Sequence, residues 1–141
     1  MPSLREQILA AAHATLSGAS PGGASVFRSR ETSITRANTP AIVISAAGGE
    51  STRQSDTMDK NNFTFKAEIF VRGDPWDQLA DAVDVPMHAA LMSSIAIASL
   101  CILRRIAEDF ESVEADKTAG TLTVSYRATF TTSALALDKP F

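Results

Sequence analysis

Hydrophobic residues recur at helical spacing in the first part of the chain. Ser3 and Glu6 match a capping box, and apolar residues follow at intervals of three or four from Leu4 to Leu16. The glycine- and proline-rich run that begins at Gly18 ends this pattern, because glycine and proline are unfavourable inside a helix. The chain is therefore predicted to open with an amphipathic helix.

Near-alternation of apolar and polar residues, with Phe70 as an exception, predicts two long strands later in the chain. The first covers 62–72 and the second 121–131, each with one buried and one polar face. The predicted buried positions are Phe63, Phe65, Ala67, Ile69 and Val71 in the first, and Leu122, Val124, Tyr126, Ala128 and Phe130 in the second. The run Ile42-Val43-Ile44 predicts a central strand that is buried on both faces, and SVFRSR (25–30) predicts a short strand before it.

A strand-to-helix junction is predicted where the segment 62–72 ends. Gly73 breaks the strand, Asp74 can cap the following helix, and Pro75 suits the first helical turn. Trp76, Leu79, Ala80 and Val83 form the predicted apolar side, and Pro86 is expected to kink or split the helix. The polar run 48–61 before this strand is predicted to be a long exposed hairpin connection or loop.

The segment 102–113 fits two structures. Leu103, Ile106, Phe110 and Val113 have helical spacing, whereas Ile102, Ile106 and Phe110 would share one face of a strand. Pattern alone favours the helix. The segment 115–120 is predicted to be a turn, and the tail 134–141 has no pattern and is expected to be loosely ordered.

Length and composition indicate one globular domain, 1–141, with its core in about 3–133. The 141 residues carry a net charge of −3, which disfavours a protein that grips nucleic acid over a broad surface. The one cysteine allows no intrachain disulfide, and neither a secretory signal nor a membrane span is expected.

Few residues suggest site chemistry. His13 and His88 have no ligand at helical spacing, and Cys101 has the surroundings of a buried small hydrophobe. Asp77, Asp81 and Asp84 could form an acidic edge, for which a solvated face or a subunit contact is the simpler interpretation. We therefore expect no catalytic residue, no cofactor site, no metal site and no enzyme activity.

The order of elements resembles the tail terminator (minor tail protein U-like) family of long-tailed bacteriophages. The resemblance covers about residues 3–133 and is carried by LREQILAAAHATL, TPAIVIS, FTFKAEIFVRG leading into DPWDQLAD, and AGTLTVSYRATF. It implies an α/β (α+β) fold with a mixed, mainly antiparallel sheet of four to five strands flanked by helices. It also implies that 102–113 is a strand rather than a helix.

The same resemblance implies a structural virion protein. Such a protein forms a ring-shaped homo-oligomer, a hexamer, that ends polymerisation of the tail tube and offers a surface for head joining. Its expected partners are the tail tube protein, a head completion or connector protein, and DNA that passes through the lumen without specific binding. It would be assembled in the host cytoplasm and located in the virion tail. The candidate interaction residues are Arg28, Arg30, Arg36, Arg53, Asp56, Lys60, Asp77 and Asp81.

Two other functions remain open from the sequence. One is a head-tail connector or tail completion protein, which joins the particle without ending tube growth. The other is a small cytosolic α/β domain that binds a ligand, because such folds host many functions.

Overall fold

The molecule consists of one mixed sheet with helices packed against it. The computed structural model describes residues 2–28, 39–113 and 116–140. Its helices are α1 (Leu4–Ala19), α2 (Trp76–Ser93) and α3 (Ile95–Ala98), with a 3₁₀ turn at Pro21–Gly23. Its strands are β1 (Ser25–Arg28), β2 (Ala41–Arg53), β3 (Met58–Arg72), β4 (Ile102–Val113), β5 (Asp116–Ser133) and β6 (Ala136–Pro140). This is the α+β fold with a mixed, mainly antiparallel sheet that the resemblance implied, with six strands in the described residues where four to five were expected.

The strand order is β1-β2-β3-β5-β4, with β6 paired to the end of β5. β1 is parallel to β2, and the β2–β3, β3–β5, β4–β5 and β5–β6 pairs are antiparallel. Among the described strands, β1 and β4 are thus the two edge strands at the opposite ends of this order.

The first helix has the predicted start and buried residues on the predicted apolar side, but it continues through Gly18, where its end was predicted, to Ala19. The Ser3 hydroxyl accepts the Glu6 N–H at 3.2 Å, which satisfies one free donor of the first turn. The carboxylate of Glu6 does not complete the capping box, because it binds Arg28 instead. The helix ends where Ser20 adopts the left-handed conformation, just before the 3₁₀ turn.

The hairpin of β2 and β3 is much more regular than the polar sequence 48–61 predicted. Both strands continue through this run, and only residues 54–57 form the connection. Ala47 lies at a shift of the pairing register, which marks a bulge. The segment 46–57 is exposed, so backbone pairing between the strands, rather than burial of an apolar face, stabilises it. We call residues 48–62 the arm.

The predicted junction after β3 is present, but its details differ. Gly73 adopts a φ of 147°, which favours glycine, and the helix cap is Pro75, whereas Asp74 was predicted. The helix continues through Pro86 to Ser93, so the predicted split does not occur there; the break lies at Ser94. Leu79 is 40% exposed, although it was predicted on the buried side.

β4 is a strand, as the resemblance implied, although the local pattern favoured a helix. It forms a hairpin with β5, which already begins at Asp116, so the predicted turn over 115–120 is wrong. A bulge at Ile106 shifts the register within β4. As a result, Ile102 lies opposite Thr129 on the polar face of the sheet, whereas Phe110 lies opposite Leu122 on the buried face. The predicted strand face that Ile102, Ile106 and Phe110 would share therefore does not form.

The hydrophobic core lies between the helices and one face of the sheet. All ten predicted inward positions of β3 and β5 are buried, and Ile42, Val43 and Ile44 are buried as predicted. α1 contributes Leu4, Ile8, Leu9, Ala12 and Leu16, and α2 contributes Ala80, Val83, Met87 and Leu91. The other sheet face has no helix over it in the described part of the chain, and its polar residues on β3 and β5 are at least partly accessible to solvent. The tail expected to be loosely ordered includes β6, whose first and last residues, Ala136 and Pro140, pair with β5.

Candidate interaction surfaces

A buried ion pair fastens the edge strand β4 to α2. The two terminal nitrogens of Arg105 each donate a hydrogen bond of 2.8 Å to one carboxylate oxygen of Asp84. Arg105 also donates to Glu108 at 2.5 Å. The hydrogen bonds to Asp84 are the main reason that the pKa of Arg105 is raised above its ordinary value. Asp84 therefore belongs to the interior and not to the acidic edge predicted for Asp77, Asp81 and Asp84.

An aromatic stack lies beneath the same helix. Tyr126 is fully buried and stacks between Phe65, at 5.7 Å, and His88, at 5.9 Å between ring centres. The Tyr126 hydroxyl and His88 Nδ1 are 3.0 Å apart and share a hydrogen bond. Burial raises the pKa of Tyr126 to about 12. His88 is thus a structural partner of the core, which the sequence pattern did not indicate.

Of the candidate interaction residues Arg28, Arg30 and Arg36, the structure describes only Arg28. Arg28 lies at the end of β1 and donates to both Glu6 oxygens, at 2.5 and 3.0 Å. These bonds raise the pKa of Arg28 and lower that of Glu6. Within the described residues, the buried Nε of Arg28 has no hydrogen-bond partner. Arg30 and Arg36 lie outside the described residues.

The structure places Arg53, Asp56 and Lys60 together on the arm. All three are exposed, and Arg53 Nε lies 3.4 Å from a carboxylate oxygen of Asp59 on the adjacent strand. Asp77 and Asp81 lie on α2, where both are exposed and Asp77 accepts the backbone N–H of Gln78 at 3.0 Å. The candidate residues therefore occupy three separate parts of the molecule rather than one site.

A cleft of about 240 Å³ separates the arm from the start of α1. Its lining includes Arg5, Glu50, Phe130 and Leu137. The buried amide of Asn61 beside it is engaged within the protein, because it donates to Thr132 at 2.9 Å and accepts from Ser51 at 2.5 Å. The amide of Asn61 is therefore not available to a ligand in this cleft.

Exposed apolar residues mark the region around β4. Ile102 is 75% exposed, and Phe110, which packs on Trp76 at 6.2 Å, is 51% exposed. Met92 and Ile95 are exposed near the start of the same strand. The sequence did not indicate this surface, because the apolar residues of 102–113 were expected to share one face of a helix or of a strand.

Two further observations bear on the class of the protein. Within the described residues, no group of three or more His, Cys, Asp or Glu side chains is arranged to hold a metal ion. Among the helices that the structure describes, none is long and apolar enough to cross a membrane.

No protein-family model matches the chain, and no curated protein matches it either. Among solved structures, the chain is similar to a protein of the virion of a native gene transfer agent particle. The alignment covers 90% of each chain at 11% sequence identity, with a TM-score of 0.45. A similarity at this level supports no conclusion about function.

Proposed function

We propose that this protein is a non-catalytic structural component of a phage or prophage virion. In this role it forms a ring, a hexamer, on the head-proximal end of the tail tube, ends tube polymerisation and offers a surface for head joining. The proposal rests on the family resemblance of the sequence together with the physical features described below.

The observation that carries the proposal is β4. The resemblance implies a strand over 102–113, where the local pattern favours a helix, and these residues form the edge strand of the sheet. At this segment the local pattern and the resemblance predict different structures, a helix and a strand. The observed strand therefore supports the resemblance. The strongly patterned segments give no such support, because both interpretations predict the same structure there.

The open sheet suits a ring. Its edge strands β1 and β4 lie at opposite ends of the strand order, so each subunit can present two different surfaces to two neighbours. Contacts between two different surfaces generate rings when the rotation between subunits closes.

The arm suits contact along the tail axis. Arg53, Asp56 and Lys60 are exposed on a hairpin that continues beyond the paired region of β1. Both charge signs on a rigid ladder favour a specific polar contact with the tube protein or a head completion protein. DNA would pass through the lumen without specific binding, in line with the net charge of −3.

Tail length distinguishes the proposed role from its alternative. The encoding gene is deleted from its phage or prophage, and the particles are examined by negative-stain electron microscopy. The proposed role predicts overlong tails that return to normal length on complementation. Tails of normal length that remain unattached to heads would instead identify a joining protein. Normal infectious particles would overturn both roles.

The arm is tested by complementation with the triple variant Arg53→Ala, Asp56→Ala and Lys60→Ala. We expect this variant to form rings but to give overlong or unattached tails. The matched control is the double variant Asp74→Ala and Lys139→Ala, which removes one exposed charge of each sign from outside the arm and is expected to complement fully. Equal, full complementation by the arm variant would show that the arm makes no axial contact.

A further inference from the structure

The outer edge of β4 is exposed. Within the part of the chain that the structure describes, no strand pairs with this side of β4. Ile102, Arg104 and the residues 106–112 are all exposed, and Phe110 keeps 51% of its surface accessible. An edge of this kind leaves backbone N–H and C=O groups free to pair with another chain.

The sequence of β4 is complementary to itself when it is read in the opposite direction. Leu103 and Arg104 lie as far before the centre of 102–111 as Phe110 and Asp109 lie after it. Two antiparallel copies of β4 would therefore bring Arg104 of each copy opposite Asp109 of the other, and Leu103 opposite Phe110. Opposed residues of antiparallel strands interact directly, and pairs of opposite charge or of apolar residues stabilise the pairing.

The bulge at Ile106 makes this register possible. Opposed residues of antiparallel strands point to the same face, whereas residues an odd number of positions apart in a regular strand point to different faces. Because Ile106 is an extra residue, Leu103 and Phe110 both lie on the buried face of the sheet, and Arg104 and Asp109 both lie on the polar face. In a symmetric pair the two bulges lie side by side at the two-fold axis, so each extra residue is matched by the other.

The charge of Arg104 is not balanced within its own copy. Arg104 lies directly opposite Arg127 on β5, and like charges in this position are destabilising. Among the described residues, neither of these arginines forms an ion pair. The carboxylate of Asp109 from a second copy would offset this repulsion.

A hollow beside Leu103 can receive Phe110 of the second copy. It has a volume of about 270 Å³, and its lining includes Met92, Ile97 and Leu103. Since Met92 is 48% exposed and Phe110 is 51% exposed, their contact would remove apolar surface of both copies from water.

We propose that two copies of the free protein pair antiparallel through β4 about a two-fold axis. Both copies use the same surface, so the assembly closes at two. This inference goes beyond the proposed ring, because it concerns the protein before it joins the tail. The pairing covers one of the two edges that the ring would use, so the pair has to open before a ring forms through that edge.

Charge reversal tests the register at exposed positions. Arg104→Glu opposes two carboxylates in each contact and Asp109→Arg opposes two guanidinium groups, so each variant should dimerise about 10-fold or more weakly than the parent. An equimolar mixture of the two variants should form a heterodimer, because every contact then joins opposite charges. Sedimentation velocity over a range of concentrations measures these equilibria. The matched control is Arg53→Glu, an exposed position of the arm, which should dimerise like the parent.

Disulfide cross-linking tests the geometry. In a Cys101→Ser background, Ile102→Cys is combined with Glu111→Cys, two positions that the same register places opposite each other. Within one copy they lie more than about 20 Å apart along the strand, beyond the roughly 7 Å that a disulfide allows between Cα atoms. Any disulfide must therefore join two copies. Mild oxidation should give a covalent dimer and no larger product, and the two single-cysteine variants should give little of it.

The outcomes separate this pairing from the proposed function. A dimer that is weakened in both charge variants, regained in their mixture and trapped only by the cysteine pair would support the proposal. A parent protein that stays monomeric, or that forms rings without a dimer, would overturn it. Dimers that neither charge variant weakens, equal cross-linking from the single cysteines, or covalent products larger than a dimer would also overturn it. None of these results bears on the proposed function, which the tail-length experiment decides separately.

Discussion

The guanidinium of Arg105 and the carboxylate of Asp84 meet in a two-point contact, with both hydrogen bonds at 2.8 Å. The Asp84 side chain is only 10% exposed, and it belongs to α2 while Arg105 belongs to β4. The pair therefore sets the position of the edge strand relative to the helix that covers it.

Loss of Arg105 should destabilise the protein strongly. Arg105→Ala leaves the Asp84 carboxylate buried without its partner, and breaking such a pair from one side costs about 3 kcal/mol in the free energy of unfolding. Urea unfolding followed by circular dichroism measures this change. The double variant Asp84→Leu and Arg105→Met should recover most of the loss, because it removes both charges and keeps apolar volume. A single variant with unchanged stability would contradict the structural role of the pair.

Stability should fall at high pH because of Tyr126. Its pKa is raised to about 12 from an ordinary value of 10.0, so between these values the unfolded chain loses a proton that the folded chain retains. The contribution of Tyr126 to the free energy of unfolding is therefore complete below pH 10. It decreases by up to about 1.4 kcal/mol per pH unit as the pH rises toward 12.

Tyr126 is the sole tyrosine, so tyrosinate absorbance reports its ionisation directly. We expect a midpoint well above pH 10 in the folded protein, and a smaller loss of stability between pH 9 and 11 for Tyr126→Phe than for the parent. A native midpoint near 10 would show that the ring is accessible to solvent.

The thiol of Cys101 should react slowly in the folded state. Burial raises its pKa to about 11 from an ordinary value of 9.0, which lowers the thiolate fraction near neutral pH by about 100-fold. The higher nucleophilicity of a thiolate of higher pKa offsets part of this loss, so reaction with an aromatic disulfide reagent at pH 8 should be about 10-fold or more slower in buffer than in denaturing urea. Cys101→Ser provides the blank, and equal rates in the two conditions would place the thiol on the surface.

A methyl group at Gly120 should displace the indole of Trp76. The Cβ of an alanine there would overlap the Trp76 ring, which in turn packs on Phe110. Overpacking of this kind costs about 1–3 kcal/mol. Trp76 is the sole tryptophan, so its fluorescence in Gly120→Ala should shift together with the stability.

Gly18→Ala is the matched control for this glycine substitution. Gly18 lies in α1, and no heavy atom outside its own helix and neighbours lies within 4 Å of the added Cβ. Alanine should therefore raise the free energy of unfolding by up to about 1 kcal/mol without changing the fluorescence. An unchanged spectrum in Gly120→Ala would show that Trp76 does not contact this strand.

The helix-versus-strand alternative at 102–113 shows the limit of local pattern. Its apolar residues fit either period, and side-chain spacing carries no information about which backbone will pair with it. Pairing along β5 and the contact of Arg105 with Asp84 hold the segment as a strand, and both partners are distant in sequence. The resemblance predicted the strand because it draws on the order of all elements.

The arm shows a second limit. Residues 48–61 are polar and lie largely on exposed strands, so no alternation distinguishes them from a loop. Backbone hydrogen bonds to β3, and from β3 to β5, extend the ladder regardless of the side chains. The same limit applies to the candidate interaction residues, whose grouping depends on where each element lies.

Local residues were enough to predict the first helix, the central strands β3 and β5 and their buried faces, because burial of one face imposes a period that the residues record. The bulge at Ile106 and the burial of Asp84 could not be predicted in this way, because they depend on pairing with β5 and on contact with Arg105, which are far away in the chain. The cap at Pro75 and the continuity of α2 through Pro86 also differ from what the local residues predicted. The edge position of β4 also depends on the tertiary structure, because a strand lies at an edge when no further strand pairs with its outer side.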